Sequence, residues 1–283
     1  VCQSCPGVTT LQVATTMPGR YNLRPEKRPG IGSDNDMDAH NAGLAQQLAP
    51  FFEQRDDWVN ISAPQGSGFA KQIAGDHNPI HDIDAPRFCV PGDLLFALVV
   101  SHYGLSHRMQ LAFKGMLRAD TPLKFPPLQT NAPFGVADES GKAYVEVSHQ
   151  GRLDVAGPGV WALVAAYVGW SGQTFPDLLQ PLLARHGVMF NPRRPFVVYD
   201  RMTLALDEPP DRDVSLELEG TTLEVSGKRG DAAFRFVIRN RQTAIGECEK
   251  RMVISGLRDY DDAEMTAMIE AYRRRRTEAM NGS

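Results

Sequence analysis

The sequence predicts an α+β protein: an antiparallel sheet with its helices gathered against one face. Three observations lead there. The stretch from Leu94 to about His107 is apolar on almost every side, which marks a helix buried all round. The C-terminal third reads as strands at Phe196 to Leu206, Val214 to Leu218, Leu223 to Val225, Ala233 to Ile238 and Ala244 to Ile254. The element order is buried helix, strands, helices, strands, which segregates helices from a sheet and does not build βαβ units.

Each element has its own signal. Residues 1–49 hold Pro6, Pro18, Pro25 and Pro29 with few large apolar side chains, and are expected to form a poorly ordered extension. Trp58 to Ile61 reads as a short strand, and Phe69 to Ala74 as a short helix ended by Gly75. Pro91 and Asp93 suit the start of the buried helix, with Gly92 as its only plausible cap. Strand-like runs follow at Leu117 to Phe125, Phe134 to Ala137 and Ala143 to Ser148. Val160 to Val168 carries β-branched residues, yet its alanines and the following run from Asp177 to Arg185 favour a helical pair. Pro209-Pro210, Gly227 to Gly230 and Asn240 punctuate the last strands, and a final helix is expected over about Asp262 to Arg276. The order suggests two similar halves, 50–155 and 156–258, followed by a helical tail at 259–283. No residue-level repeat supports the duplication.

Composition excludes several functions. The 283 residues carry a net charge of −4, against a basic nucleic-acid-binding surface. The longest apolar runs, Leu94 to Val100 and Val160 to Trp170, fall well short of the roughly 20 residues of a membrane span. Cys2, Cys5, Cys89 and Cys248 form neither a disulfide framework nor a complete zinc site. Nothing near Val1 resembles a secretory signal, and a reducing cytoplasm is the expected setting.

The chemistry concentrates in Gly75-Asp76-His77-Asn78-Pro79-Ile80-His81. Asp76 and His81 lie an odd number of positions apart, so an extended strand would send them to opposite faces. The Asn78-Pro79 turn can reverse the chain and aim both at one water. Asn78 can bond its own backbone there, and Pro79 fixes a dihedral.

Phe69-Ala70, Gly75-Asp76-x-Asn78-Pro79-Ile80-His81-x-x-x-Ala85 and Val90-Pro91-Gly92-x-Leu94 together resemble the signature of the MaoC-like, (R)-specific enoyl-CoA hydratases. The resemblance implies a hotdog fold, here a double hotdog with the motif in its first half. It implies hydration of a trans-2-enoyl thioester, with coenzyme A or acyl carrier protein as the substrate carrier and no metal or redox cofactor. His81 would be the main base, Asp76 its partner on the water, and the Gly92 N–H the oxyanion donor. Pro91 stands where many members have His, which leaves substrate choice open. A homodimer is compatible with the resemblance. A hotdog acyl-CoA thioesterase and a non-catalytic acyl-thioester-binding protein are the rival readings.

Over residues 57–260 the chain also resembles an uncharacterised proteobacterial hotdog family. That likeness rests on Gly75 to Leu98, Ser171-Gly172-Gln173-x-Phe175-Pro176, His186-Gly187-Val188-Met189, Gly227 to Asp231 and Ser255 to Arg258.

Other polar groups have plainer explanations. His77 and His81 have metal-ligand spacing only on a helix, which Pro79 interrupts. His102 and His107 read as satisfied groups on the buried helix or at its end, and His149 and His186 have no partner pattern. Arg273 to Arg276 suits the C-terminal end of a helix with a solvated face. Gly227-Lys228-Arg229-Gly230 reads as a hairpin turn, and Gly66-Ser67-Gly68 lacks the lysine of a phosphate loop.

Overall fold

The computed structural model describes residues 43–128, 132–155, 157–192 and 196–281. The described residues form one compact unit. Of the extension expected over 1–49, residues 1–42 lie outside the described ones. The remainder departs from that expectation: residues 43–48 are helical, and Leu44 and Leu48 are fully buried. Their i, i+4 spacing places both on one helix face, against the core.

The strands are β1 Glu53–Arg55, β2 Trp58–Asn60, β3 Ser106–Phe113, β4 Leu123–Lys124, β5 Phe134–Ala137, β6 Ala143–Arg152, β7 Val188–Met189, β8 Phe196–Leu206, β9 Val214–Ser226, β10 Arg229–Asn240, β11 Thr243–Ser255 and β12 Arg258–Asp259. After the helical residues 43–48, the helices longer than one turn are α1 Ala63–Gln72, α2 Gly92–Tyr103, α3 Gly157–Val168, α4 Gln180–Arg185 and α5 Asp262–Asn281. A π-helical turn, Thr174–Leu179, leads into α4.

Ten strands make one antiparallel sheet in the order β1-β2-β4-β5-β6-β3-β8-β11-β10-β9. Strands β1 to β6 belong to the N-terminal half and β8 to β11 to the C-terminal half. They meet where β3 pairs with β8, so that Met109 faces Leu204 and Leu111 faces Met202. All four side chains are buried, and one apolar layer runs across the junction. Irregular registers at Arg235/Phe236, Ile238/Arg239 and Arg251/Met252 supply the local bends that let long strands curl.

The sheet curls around two helices. In α2 every residue from Asp93 to Val100 is buried, as its all-round apolar character requires. In α3 Val160, Leu163, Val164, Tyr167 and Val168 are buried and the residues between them are half-buried. The Phe96 and Tyr167 rings bring the two helices together, with centroids 4.9 Å apart. A curled antiparallel sheet wrapped on a buried helix is the hotdog fold, and this chain holds two such units in one sheet.

Three expectations shift. The buried helix ends at Tyr103 because Gly104, at φ 73, turns the chain, and His107 therefore sits on β3. Strand β3 replaces that expected helical end: Met109 and Leu111 point inward while Arg108 and Gln110 do not. The run from Leu117 to Phe125 is a strand only at Leu123–Lys124. No helix of the described residues is long and apolar enough to cross a membrane.

Truncating Phe96 opens a void between α2 and α3 that neither helix can fill. Phe96→Ala should cost about 3–5 kcal/mol in urea denaturation, within the usual range for a buried aromatic. Val225→Ala, at an exposed position of the edge strand, should change stability by only about 0.5 kcal/mol.

Candidate active site

Helix α1 aims the site loop. Its start is a capping box in which the Ser62 side chain accepts from the Gln65 N–H and the Ser62 N–H donates to the Gln65 side chain. Beyond its last residue, Gln72, the chain turns at Gly75 (φ 61), and the Asp76 N–H returns to the Ala70 carbonyl at 2.7 Å. A side chain at Gly75 would be strained in that left-handed conformation. The turn therefore fixes the direction in which Asp76 leaves the helix.

The next residues form a closed polar loop. The Asn78 N–H donates to Asp76 Oδ1 at 2.9 Å, and Asn78 Oδ1 accepts from the Ile80 N–H at 3.2 Å. Pro79–His81 is one 3₁₀ turn. His81 Nδ1 lies 2.7 Å from the Cys89 carbonyl oxygen. A carbonyl only accepts, so Nδ1 carries the hydrogen and, in the neutral ring, Nε2 carries the lone pair. Nε2 lies 3.6 Å from Asp76 Oδ2. The side chains of His81 and Asp76 remain 12% and 20% exposed, so water reaches them. A water about 2.8 Å from both atoms would complete the arrangement.

The C-terminal helix seals this loop. Tyr272, 5% exposed, donates to Asp76 Oδ1 at 3.3 Å or to the Gly172 carbonyl at 3.1 Å, and accepts from the His77 N–H at 3.3 Å. Arg275, from the arginine run expected to be solvated, instead pairs with Asp82 at 2.5 Å, and Lys71 holds the same carboxylate at 2.9 Å. Burial raises the Asp76 carboxyl above the usual carboxylate range, opposed by His81 and the Asn78 N–H. Burial also raises the Tyr272 phenol, and the neighbouring Asp76 adds to it. The buried His77 ring is pushed below the ordinary histidine value by burial, and it meets the Tyr272 ring edge-on.

Pro91 is the N-cap of α2 and Gly92 its first residue. As the first N–H of a helix, that of Gly92 has no partner inside it. A Cβ on Gly92 would lie 3.0 Å from the Tyr199 ring and 3.3 Å from the Phe113 ring. Glycine is what lets these rings close on the helix start.

A second polar cluster lies behind Gly92, and it went unread in the sequence. Lys250 on β11 is 1% exposed and pairs with Asp93 at 3.2 Å. Its ammonium also donates to Ser171 Oγ and Tyr199 Oη, both at 2.8 Å, and lies over the Tyr167 and Tyr199 rings. Ser171 Oγ is 2.5 Å from Asp93 Oδ2 and 2.6 Å from Tyr199 Oη. Burial holds both tyrosines well above the ordinary phenol value, with Asp93 adding to each. One signal was available: Cys248, Lys250, Met252 and Ile254 alternate along β11, putting Lys250 on the inward face.

The two clusters adjoin through backbone. The Gly172 N–H donates to the Ala74 carbonyl at 3.0 Å, and a Cβ on Gly172 would lie 2.1 Å from the Gly75 carbonyl oxygen. The other histidines are engaged elsewhere: His102 Nδ1 with the Leu98 carbonyl at 2.9 Å and His107 Nδ1 with that of Leu206 at 2.8 Å. His149 sits near the Phe134 ring, and His186 caps the end of α4. Clefts of about 580 and 280 Å³ gather around Asn191 and Arg258, and none of Asp76, His81 and Gly92 lines them.

A family profile described as "Protein of unknown function (DUF3581)" matches residues 46–263. The chain belongs to that family. No curated protein matches the chain. Among solved structures, an acyl-CoA thioesterase II TesB2 from Mycobacterium marinum is 8% identical, with 77% of this chain and 99% of that one covered and a TM-score of 0.38. A tesB protein of Mycobacterium avium subs paratuberculosis is 11% identical, with 75% and 99% covered and a TM-score of 0.38. A hot dog fold protein of unknown function from Alicyclobacillus acidocaldarius is 9% identical, with 78% and 97% covered and a TM-score of 0.37.

Two predictions follow from this packing. Gly172→Ala should sharply lower the melting temperature, since its methyl group meets a backbone carbonyl that cannot move without the site loop. Asp76→Asn should gain stability relative to the parent as pH rises above about 4, the ordinary aspartate value. The sign follows from linkage: a carboxyl raised by folding binds protons more tightly in the native state, so its ionisation costs native stability. Melting curves of both proteins from pH 4 to pH 8 check this.

Proposed function

We propose that the protein hydrates an enoyl thioester, using Asp76 and His81 on a single water. The observation that carries the reading is the 3.6 Å separation between His81 Nε2, whose lone pair faces outward from the Cys89 hydrogen bond, and Asp76 Oδ2. The resemblance of this loop to MaoC-like hydratases supports the same chemistry.

In this reading Nε2 takes a proton from the water as its oxygen bonds to C3 of the enoyl chain. The C2–C3 π electrons move toward the carbonyl and give an enolate. The Asp76 carboxyl, raised by burial, then delivers its proton to C2. Transfer of the proton from His81 to Asp76 restores the pair. The Gly92 N–H at the start of α2 is the oxyanion donor, and one such donor is worth about 3–4 kcal/mol to the transition state. Pro91 and the Asn78-Pro79 turn hold the two ends of this arrangement. The carrier is coenzyme A or acyl carrier protein, and the steps call for no metal or redox cofactor.

Hydrolysis of an acyl thioester is the second reading. The same activated water can attack the thioester carbonyl, and that reaction needs no proton delivered to an α-carbon.

With crotonyl-CoA and longer enoyl-CoAs, hydration should remove the enoyl ultraviolet absorbance without releasing thiol. His81→Ala and Asp76→Asn should each lower the rate by about 10²–10⁴, the span of positioned acid–base groups. Thiol release with retained absorbance would select hydrolysis. Neither signal at any chain length, from folded protein, would leave only acyl binding.

A further inference from the structure

Helix α5 is largely solvated and reaches the site through one buried polar group. Of its described side chains only Met265 and Tyr272 are buried. The Tyr272 ring packs edge-on against Phe175, with centroids 5.5 Å apart, and against the His77 ring at 6.4 Å. These neighbours fix where its hydroxyl points. The oxygen accepts from the His77 N–H at 3.3 Å and faces two acceptors, the Gly172 carbonyl at 3.1 Å and Asp76 Oδ1 at 3.3 Å. A phenol has a single hydrogen to give, so it serves one of the two at a time. An ionised Asp76 is the stronger acceptor and draws that hydrogen to Oδ1. A neutral carboxyl leaves it to the nearer Gly172 carbonyl.

The same contact sorts the two oxygens of Asp76. Oδ1 faces the Asn78 N–H at 2.9 Å and the Tyr272 hydroxyl. Oδ2 lies on the other side, 3.6 Å from His81 Nε2. We propose that Tyr272 is a positioning residue, which holds Oδ1 of Asp76, leaves Oδ2 to the water and stabilises the carboxylate once Asp76 has given up its proton. For the hydration reading, on which this consequence rests, the hydroxyl hydrogen turns from Gly172 to Oδ1 as the carboxyl protonates C2. No bond of the phenol breaks, and the proton that reaches C2 is the one Asp76 carried. The other titratable and charged groups around Asp76 are His77, His81 and Asp82 of its own loop, Lys71 of α1, Asp93 of α2, Tyr199 of β8, and Arg275 and Arg276 of α5. All of them are retained when only the hydroxyl of Tyr272 is altered.

The test reads the proton directly and needs no turnover. In protein labelled with ¹³C at aspartate carboxyls, the Asp76 signal is assigned by its loss in Asp76→Asn and titrated against pH. Tyr272→Phe keeps the ring packing and removes one donor from the carboxylate, so the Asp76 midpoint should rise by about half a pH unit or more. A ring-fluorinated tyrosine at position 272 keeps the hydroxyl and makes it a stronger donor, so the midpoint should fall. A group that only filled space would not move the midpoint in opposite directions. A midpoint equal to the parent's in folded Tyr272→Phe, or one that does not fall with the fluorinated ring, overturns the proposal. The fluorinated protein decides alone if Tyr272→Phe does not fold. If the parent protein hydrates enoyl-CoA, Tyr272→Phe should also lower kcat by about tenfold with KM unchanged, the pattern of an interaction made in the transition state. If the parent hydrates no enoyl thioester, the titration still decides the role of Tyr272, and the hydration reading fails by itself.

Discussion

A lysine that is 1% exposed is the constraint around which the centre of this molecule is arranged. An ammonium taken out of water costs several kcal/mol unless opposite charge and hydrogen bonds replace the solvent. Lys250 finds Asp93, Ser171 and Tyr199, and the faces of two tyrosine rings. Each of those partners comes from a different segment of the chain. Satisfying one charge therefore fixes the start of α2, the turn after α3 and the registers of β8 and β11 together. Replacing such an ion pair with apolar residues is often neutral for stability; what this pair does in the structure is set the placement of the segments around the start of α2.

That site is built from close backbone approaches. Gly172 lets the segment after α3 rest on the Ala74-Gly75 carbonyls, and Gly92 lets Tyr199 and Phe113 close on the start of α2. Between them lies the loop that Asp76, Asn78 and His81 tie together with their own hydrogen bonds. Tyr272 and Arg275 of α5 then hold the loop from outside. The motif loop is in the first half, yet second-half and C-terminal residues enclose it. A single-half fragment would keep the motif and lose its surroundings.

Much of this was legible in the sequence. The apolar run after Gly92 announced a helix inside the sheet, and the period-two strands after Phe196 announced the long hairpins. The Asn78-Pro79 turn announced that Asp76 and His81 converge. Strand β3 was harder to see, because Ser106 to Phe113 follows the buried helix closely and has no β-branched residue to mark the change of period. Leu44 and Leu48 were hidden by the proline-rich stretch before them. The role of Gly172 could not be read at all, since it depends on a carbonyl that is distant in sequence. Lys250 was readable in principle, as a charge on the inward face of a strand. Its partners were not, because pairing across a sheet and two helices is a property of the tertiary structure.

The central claim is that the Asp76–His81 pair delivers a water to C3 of an enoyl thioester. Incubation with an enoyl-CoA in ¹⁸O-labelled water, followed by mass spectrometry of the products, tests it most directly. The account predicts one ¹⁸O at the 3-hydroxyl of an intact thioester, and its loss when His81 is replaced by Ala. Label appearing only in a free carboxylic acid, or in no product of the folded protein, would contradict it.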